Sequence, residues 1–146
     1  MRHEAPKRSH KPLTHRNEDR FDGAARMIDL VTHVDPRGVL IPVEFEHLPF
    51  HPRALFTVQG VPPGTVRGRH AHRQCTQLLV CLAGAIRVKL RREGTETEVD
   101  LDDPTRGLLV SPGVWSSQTY LVPDTILLVV ASHRYTPDDY LDQESA

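Results

Sequence analysis

The stretch Arg67-Gly68-Arg69-His70-Ala71-His72-Arg73-Gln74-Cys75-Thr76-Gln77, followed by the apolar run Leu78 to Leu82 and by Gly84, decides how the chain is read. If it is a strand, His70 and His72 point to the same side, because strand side chains alternate with a period of two. Arg67 and Arg69 precede the pair. Gln77 stands immediately before a run too apolar to face water. Polar groups that run directly into a core strand are costly unless they line a cavity. The stretch therefore predicts a cavity wall.

Working outward, the chain reads as short strands separated by turns. Met27, Ile28, Leu30 and Val31 form a first apolar run, and Asp35-Pro36-Arg37-Gly38 has turn chemistry. Val39 to Phe45 reads as a strand whose Pro42 calls for an edge or a bulge. Ala54–Gln59, Thr76–Leu82 and Ala85–Leu90 follow, with Gly60 to Gly64 and Ala83-Gly84 as breaks. The alternation of Val88 and Leu90 with Val99 and Leu101 across Glu93-Gly94 predicts a hairpin. Gly107–Val110, Val114–Leu121 and Thr125–Ala131 complete the set, and Pro137 to Tyr140 would open a short C-terminal helix. Short strands at this spacing, without αβ alternation, predict an all-β sandwich or barrel.

Composition sets the outer limits. The chain has 146 residues, enough for one domain with a substantial core, and a net charge of −1. That balance gives no sign of a nucleic-acid or anionic-membrane partner. No run approaches the roughly 18 apolar residues of a membrane helix, and the polar start lacks a signal-peptide core, so the expected location is the cytoplasm. Residues 1–25 mix basic, acidic and proline residues with few apolar ones and read as a disordered tail before a domain at 26–146. The tail histidines His3, His10 and His15 have no regular spacing and read as solvated. Cys75 and Cys81 would stand about 20 Å apart in one strand, beyond disulfide reach, and read as small packing residues.

The order Gly64, His70-Ala71-His72, Gln77, Gly84 resembles the first motif of the cupins, with Gln at the usual acidic position. Metal cupins add a histidine after a Pro-x-Gly turn, but Ser111-Pro112-Gly113-Val114-Trp115-Ser116-Ser117-Gln118 contains none. Two imidazoles and a neutral amide make a poor divalent site, so no metal is expected. Paired histidines beside arginines suit acid–base chemistry on an anionic substrate instead. The blander alternative is that one histidine only hydrogen-bonds a loop and Arg67 lies on the surface. Trp115 is either a core residue or the wall of a ring-binding pocket. Gln118 and Tyr120 share strand parity and offer polar groups on one face.

As an ordered set, the residues resemble the cupin family of dTDP-sugar 3,4-ketoisomerases, the WxcM-like family. The resemblance runs from Asp35 to Tyr140. It rests on Asp35-x-Arg37-Gly38, Glu44 before Pro49-Phe50, Arg53, the Arg67-Gly68-x-His70-Ala71-His72 block with Gln77, and Cys81-Leu82-x-Gly84. It continues through Leu101-Asp102-x-Pro104, Gly107-Leu108, Pro112-x-x-Trp115, Leu127 to Ser132, Tyr135 and Asp139-Tyr140. The resemblance implies a double-stranded β-helix (jelly-roll barrel), a homodimer, and no metal or other cofactor. It implies a dTDP-4-keto-6-deoxyhexose substrate whose carbonyl moves from C4 to C3 through an enediol. His72 would be the base and His70 the acid or shuttle. Arg53 and Arg67 would hold phosphate or enediolate charge, Gln77 would orient the sugar, and Trp115 would wall the pocket. Members of that family often carry Tyr and His where this chain has Phe56 and Ser116. A non-catalytic nucleotide-sugar-binding cupin is the alternative reading.

Overall fold

A computed structural model describes residues 19–141. The strands are β1 (Asp19–Arg20), β2 (Ala25–Asp29), β3 (His33–Asp35), β4 (Gly38–Leu40), β5 (Ala54–Val58), β6 (Val66–His72) and β7 (Gln77–Ala83). They continue with β8 (Ile86–Arg92), β9 (Thr95–Leu101), β10 (Arg106–Val110), β11 (Trp115–Tyr120), β12 (Ile126–Ala131) and β13 (Tyr140–Leu141). Two antiparallel sheets face each other. One has the order β1-β2-β10-β7-β12-β5 and the other β13-β6-β11-β8-β9, while β3 and β4 form a separate hairpin. Neighbours distant in sequence, such as β10 beside β2 and β7, give the jelly-roll connectivity expected of the all-β reading. Among the described residues no helix is long and apolar enough to cross a membrane.

The core fills the space between the sheets. Leu79, Cys81, Ile86, Val88, Leu90, Leu101, Leu108, Val110, Leu127 and Val129 are all buried there. Each fully buried aliphatic side chain contributes about 1.5–3 kcal/mol relative to exposure. β7 and β12 read as continuous apolar runs because both of their faces are covered. Leu78, Val80 and Val130 point out of the sandwich, under Ile28, Leu30, Leu48 and Phe50. The hairpin predicted from Val88, Leu90, Val99 and Leu101 pairs Val88 with Val99 and Ile86 with Leu101. Gly84 closes the β7–β8 turn at φ +81°, and a Cβ there would sit 2.2 Å from Thr125 Oγ1. Only glycine fits that approach.

Four expectations need correction. Residues 1–18 of the expected tail lie outside the described residues, but Asp19–Arg20 and Ala25 belong to strands. Phe21, Ala24 and the fully buried Ala25 pack on the core, a contribution hidden by the charged residues around them. The strand expected over Val39–Phe45 ends at Leu40, and a single 3₁₀ turn covers Phe45–His47. Pro42 has no N–H to continue a ladder. Pro137–Asp139 is likewise one 3₁₀ turn, and the chain then pairs with β6 instead of extending a helix. Cys75 precedes β7 rather than lying in it, and both cysteines are free and buried.

Candidate active site

β6 carries the two histidines on its inner face, and a bulge decides which arginine joins them. Ser116 of β11 pairs with His70 and Ser117 pairs with Gly68, so Arg69 is an extra residue in the ladder. Gly68 and Arg69 both have positive φ, +80° and +65°. The inserted residue reverses the alternation upstream of it. Arg67 therefore joins His70 and His72 in lining the interior cavity, whereas Arg69 and Val66 line a groove on the outer face. Gly68 is required twice over. Its φ favours glycine, and a Cβ would stand 2.5 Å from Gln118 Oε1.

The cavity holds about 470 Å³ between the sheets. His70, His72, Arg67, Gln77, Gln118 and Tyr120 all line it, as expected of them. Phe56 lines it as well, so an apolar ring occupies the place of a phenol. Ser116 is buried and accepts a hydrogen bond from Gln118 Nε2 at 3.1 Å, which steers that amide. Two expected residues lie elsewhere. Trp115 faces the outer groove, its ring under the Arg91 guanidinium at 4.3 Å, because odd positions of β11 point opposite to Gln118 and Tyr120. Arg53 lies outside the cavity, in a hollow at its rim shared with His133 and Arg134.

The C-terminal turn supplies residues to which the sequence reading gave no role. β13 pairs with β6, setting Tyr140 opposite His72, and its ring lies 4.3 Å from His70 and 5.1 Å from His72. Asp139, 8% exposed, takes His72 Nδ1 at 2.9 Å and the backbone N–H groups of Gln74 and Cys75 at 2.8 and 3.4 Å. A carboxylate only accepts, so in the neutral ring Nδ1 carries the proton and Nε2 the lone pair. Nε2 is buried and has no hydrogen-bond partner. His133, Arg134, Tyr135 and Thr136 line the same wall of the cavity. Asp139 and Tyr140 belonged to the family pattern, but 67 residues separate Asp139 from His72, and no local spacing connects them.

Burial shapes the proton chemistry. Desolvation holds the His70 imidazole below its ordinary value, against the hydrogen bond at Gly68, and the neighbouring His72 adds to the lowering. His70 is thus neutral near pH 7 and can both give and accept a proton. Burial pushes the Tyr120 phenol up, opposed by the Arg67 charge, so it remains protonated. Its hydroxyl is also buried without a partner.

A jelly-roll with a buried, carboxylate-anchored histidine lining a cavity between its sheets defines the class: a cupin-type fold with a small-molecule pocket. The profile described as FdtA: WxcM-like, C-terminal, matches residues 23–146, and the chain belongs to that family. It is 34% identical over 119 residues to the TDP-4-oxo-6-deoxy-alpha-D-glucose-3,4-oxoisomerase of Aneurinibacillus thermoaerophilus, spanning 81% of this chain and 86% of that one. The fold is similar to that of QdtA, a sugar 3,4-ketoisomerase from Thermoanaerobacterium thermosaccharolyticum solved with TDP. The TM-score is 0.78 at 30% identity, over 81% of this chain and 87% of that one. A 3,4-ketoisomerase from Helicobacter canadensis matches with a TM-score of 0.76 at 25% identity, over 80% and 89% of the two chains.

Proposed function

We propose that the chain is a dTDP-4-keto-6-deoxyhexose 3,4-ketoisomerase of deoxysugar biosynthesis. Its relatives bear the names of TDP-sugar ketoisomerases and their chains are covered almost end to end. The observation that carries the proton-transfer assignment is the unpartnered His72 Nε2, whose ring is held from behind by Asp139.

His72 Nε2 takes the proton from C3 of the sugar, and the electron pair forms the C3–C4 double bond while negative charge collects on O4. His70, 5.0 Å from His72 between ring centres, moves protons between O3 and O4 as a neutral imidazole. Delivery of a proton to C4 and loss of the proton on O3 leave the carbonyl at C3. The hydrogen count of the sugar is unchanged, so the conversion needs no external oxidant or cofactor. Arg67 and the protonated Tyr120 face the cavity, where they stabilise developing oxyanion charge. Arg53, Arg134 and His133 at the rim suit a diphosphate that remains outside the apolar part of the pocket. Gln77 and Gln118 orient sugar hydroxyls. The chain is taken to work as a homodimer in the cytoplasm. The exposed Val34, Val39 and Leu40 of the β3–β4 hairpin offer apolar area for a second copy.

Incubation with dTDP-4-keto-6-deoxyglucose in deuterated buffer tests the reading. Solvent deuterium should enter the ring at C3 or C4, and His72→Ala should lower the rate by about 10²- to 10⁴-fold, the scale of a lost general base. Tight TDP binding with no exchange in the unmutated chain would instead make it a non-catalytic nucleotide-sugar-binding protein, in which Phe56 and Ser116 mark lost proton carriers.

A further inference from the structure

Behind the histidine pair, three different donors converge. The imidazole of His72, the thiol of Cys75 and the carboxylate of Asp139 bring their ligand atoms within 4.8 Å of one another. Cys75 is 4% exposed and Asp139 8%. This is not the cupin metal position, which would join His72 to His70 and the place held by Gln77. We propose that His72, Cys75 and Asp139 form an inhibitory site for a thiophilic divalent cation, zinc above all.

The donor set suits that ion. Zinc takes nitrogen, sulfur and oxygen ligands in tetrahedral geometry at about 2.0–2.3 Å, which spaces the donors about 3.3–3.7 Å apart. His72 Nδ1 and Asp139 Oδ2 already stand 2.9 Å apart, so a few tenths of an ångström of widening admits the ion between them. The Cys75 thiol makes only a long contact of 3.5 Å to the Thr76 carbonyl, and it leaves that carbonyl at little cost. One divalent cation with one thiolate and one carboxylate is electrically neutral, as a buried site demands.

Binding there would silence the base from the wall of the sugar pocket, which Cys75 and Asp139 also line. Two N–H or S–H bonds are replaced by bonds to the metal. The thiol proton leaves to solvent, and the Nδ1 proton is displaced to Nε2. The nitrogen that must accept the C3 proton then already carries one. The inhibition rests on the ketoisomerase reading given above, whereas the binding does not.

The test is a titration of the full chain with Cd²⁺ and Zn²⁺. Cd²⁺ should saturate at one equivalent with a thiolate-to-metal absorption in the near ultraviolet. The absorption should vanish in Cys75→Ala and persist in Cys81→Ala, the other buried thiol. Zinc should inhibit isomerisation reversibly, with relief by chelator, and Cys75→Ala should need at least tenfold more zinc for the same loss. Absence of the absorption in the unmutated chain, or equal zinc sensitivity in Cys75→Ala, overturns the proposal. A Cys75-dependent absorption in a chain that exchanges no deuterium would support the metal site and refute the ketoisomerase reading.

Discussion

The two faces of the β13-β6-β11-β8-β9 sheet are built from the same strands and do opposite things. The inner face carries Arg67, His70, His72, Gln118 and Tyr120 around a cavity. The outer face carries Arg69, Arg87, Lys89, Trp115, Ser117 and Thr119, with Arg87 paired to Asp100 at 2.9 Å. Both hold arginine and an aromatic ring, so residue type alone cannot tell them apart. Their difference lies in the chemistry of the polar groups and in how the charges are paired. The buried unpartnered atoms of the inner face, His72 Nε2 and the Tyr120 hydroxyl, belong to groups that exchange protons. Among the described residues the outer face leaves only the Trp115 indole N–H so placed, and it balances the exposed Arg87 against Asp100 of the neighbouring strand. Proton-exchanging groups without partners in a cavity are the mark of chemistry, and charges paired across strands are the mark of a sheet surface.

The comparison can be broken in three places. The largest effect is expected at Asp139. Asp139→Asn can present an amide N–H to His72 Nδ1, which moves the imidazole proton to Nε2 and blocks the base. Turnover should fall by about 10²- to 10⁴-fold with KM nearly unchanged, the pattern of a wrong tautomer. Steady-state kinetics would show this, and a change confined to KM would mean that Asp139 only shapes the pocket. A smaller effect is expected at Gly68→Ala. The left-handed conformation costs about 1–2 kcal/mol for a residue with a Cβ. The added carbon also displaces Gln118, so denaturant midpoint should fall and KM should rise together. Full stability and unchanged KM would show that the bulge is not what aligns Arg67 with the histidines. The smallest effect belongs to the outer face. Trp115→Phe weakens the contact with Arg91 by about 0.5–1 kcal/mol. Turnover should stay within about twofold, since sites without shared partners act independently. A large fall in turnover would erase the distinction between the faces.

Much of this was legible without coordinates. The alternation of Val88, Leu90, Val99 and Leu101 and the Gly/Pro punctuation pointed to the sandwich, because turn chemistry and strand periodicity are local properties. The His70-Ala71-His72 spacing put both imidazoles on one side for the same reason. Trp115 is buried, but parity speaks against the pocket-wall reading, since it differs by an odd number of positions from Gln118 and Tyr120. Arg67 presents the converse case. Parity would have set it away from His70, and only the inserted Arg69 brings it round. Arg53 sits before β5, in a connection whose path local pattern does not specify, and it ends at the rim.

What the chain determines by itself is therefore the set of strands, the paired histidines and the absence of a second-motif histidine, all of which depend on neighbours within a few residues. Tertiary structure decided which face each side chain serves. It brought Asp139 and Tyr140 back across β6, and it set the thiol of Cys75 beside the same imidazole. The reason is physical. Periodicity is encoded residue by residue, whereas a bulge, a returning strand and a shared hydrogen bond exist only once distant segments have paired.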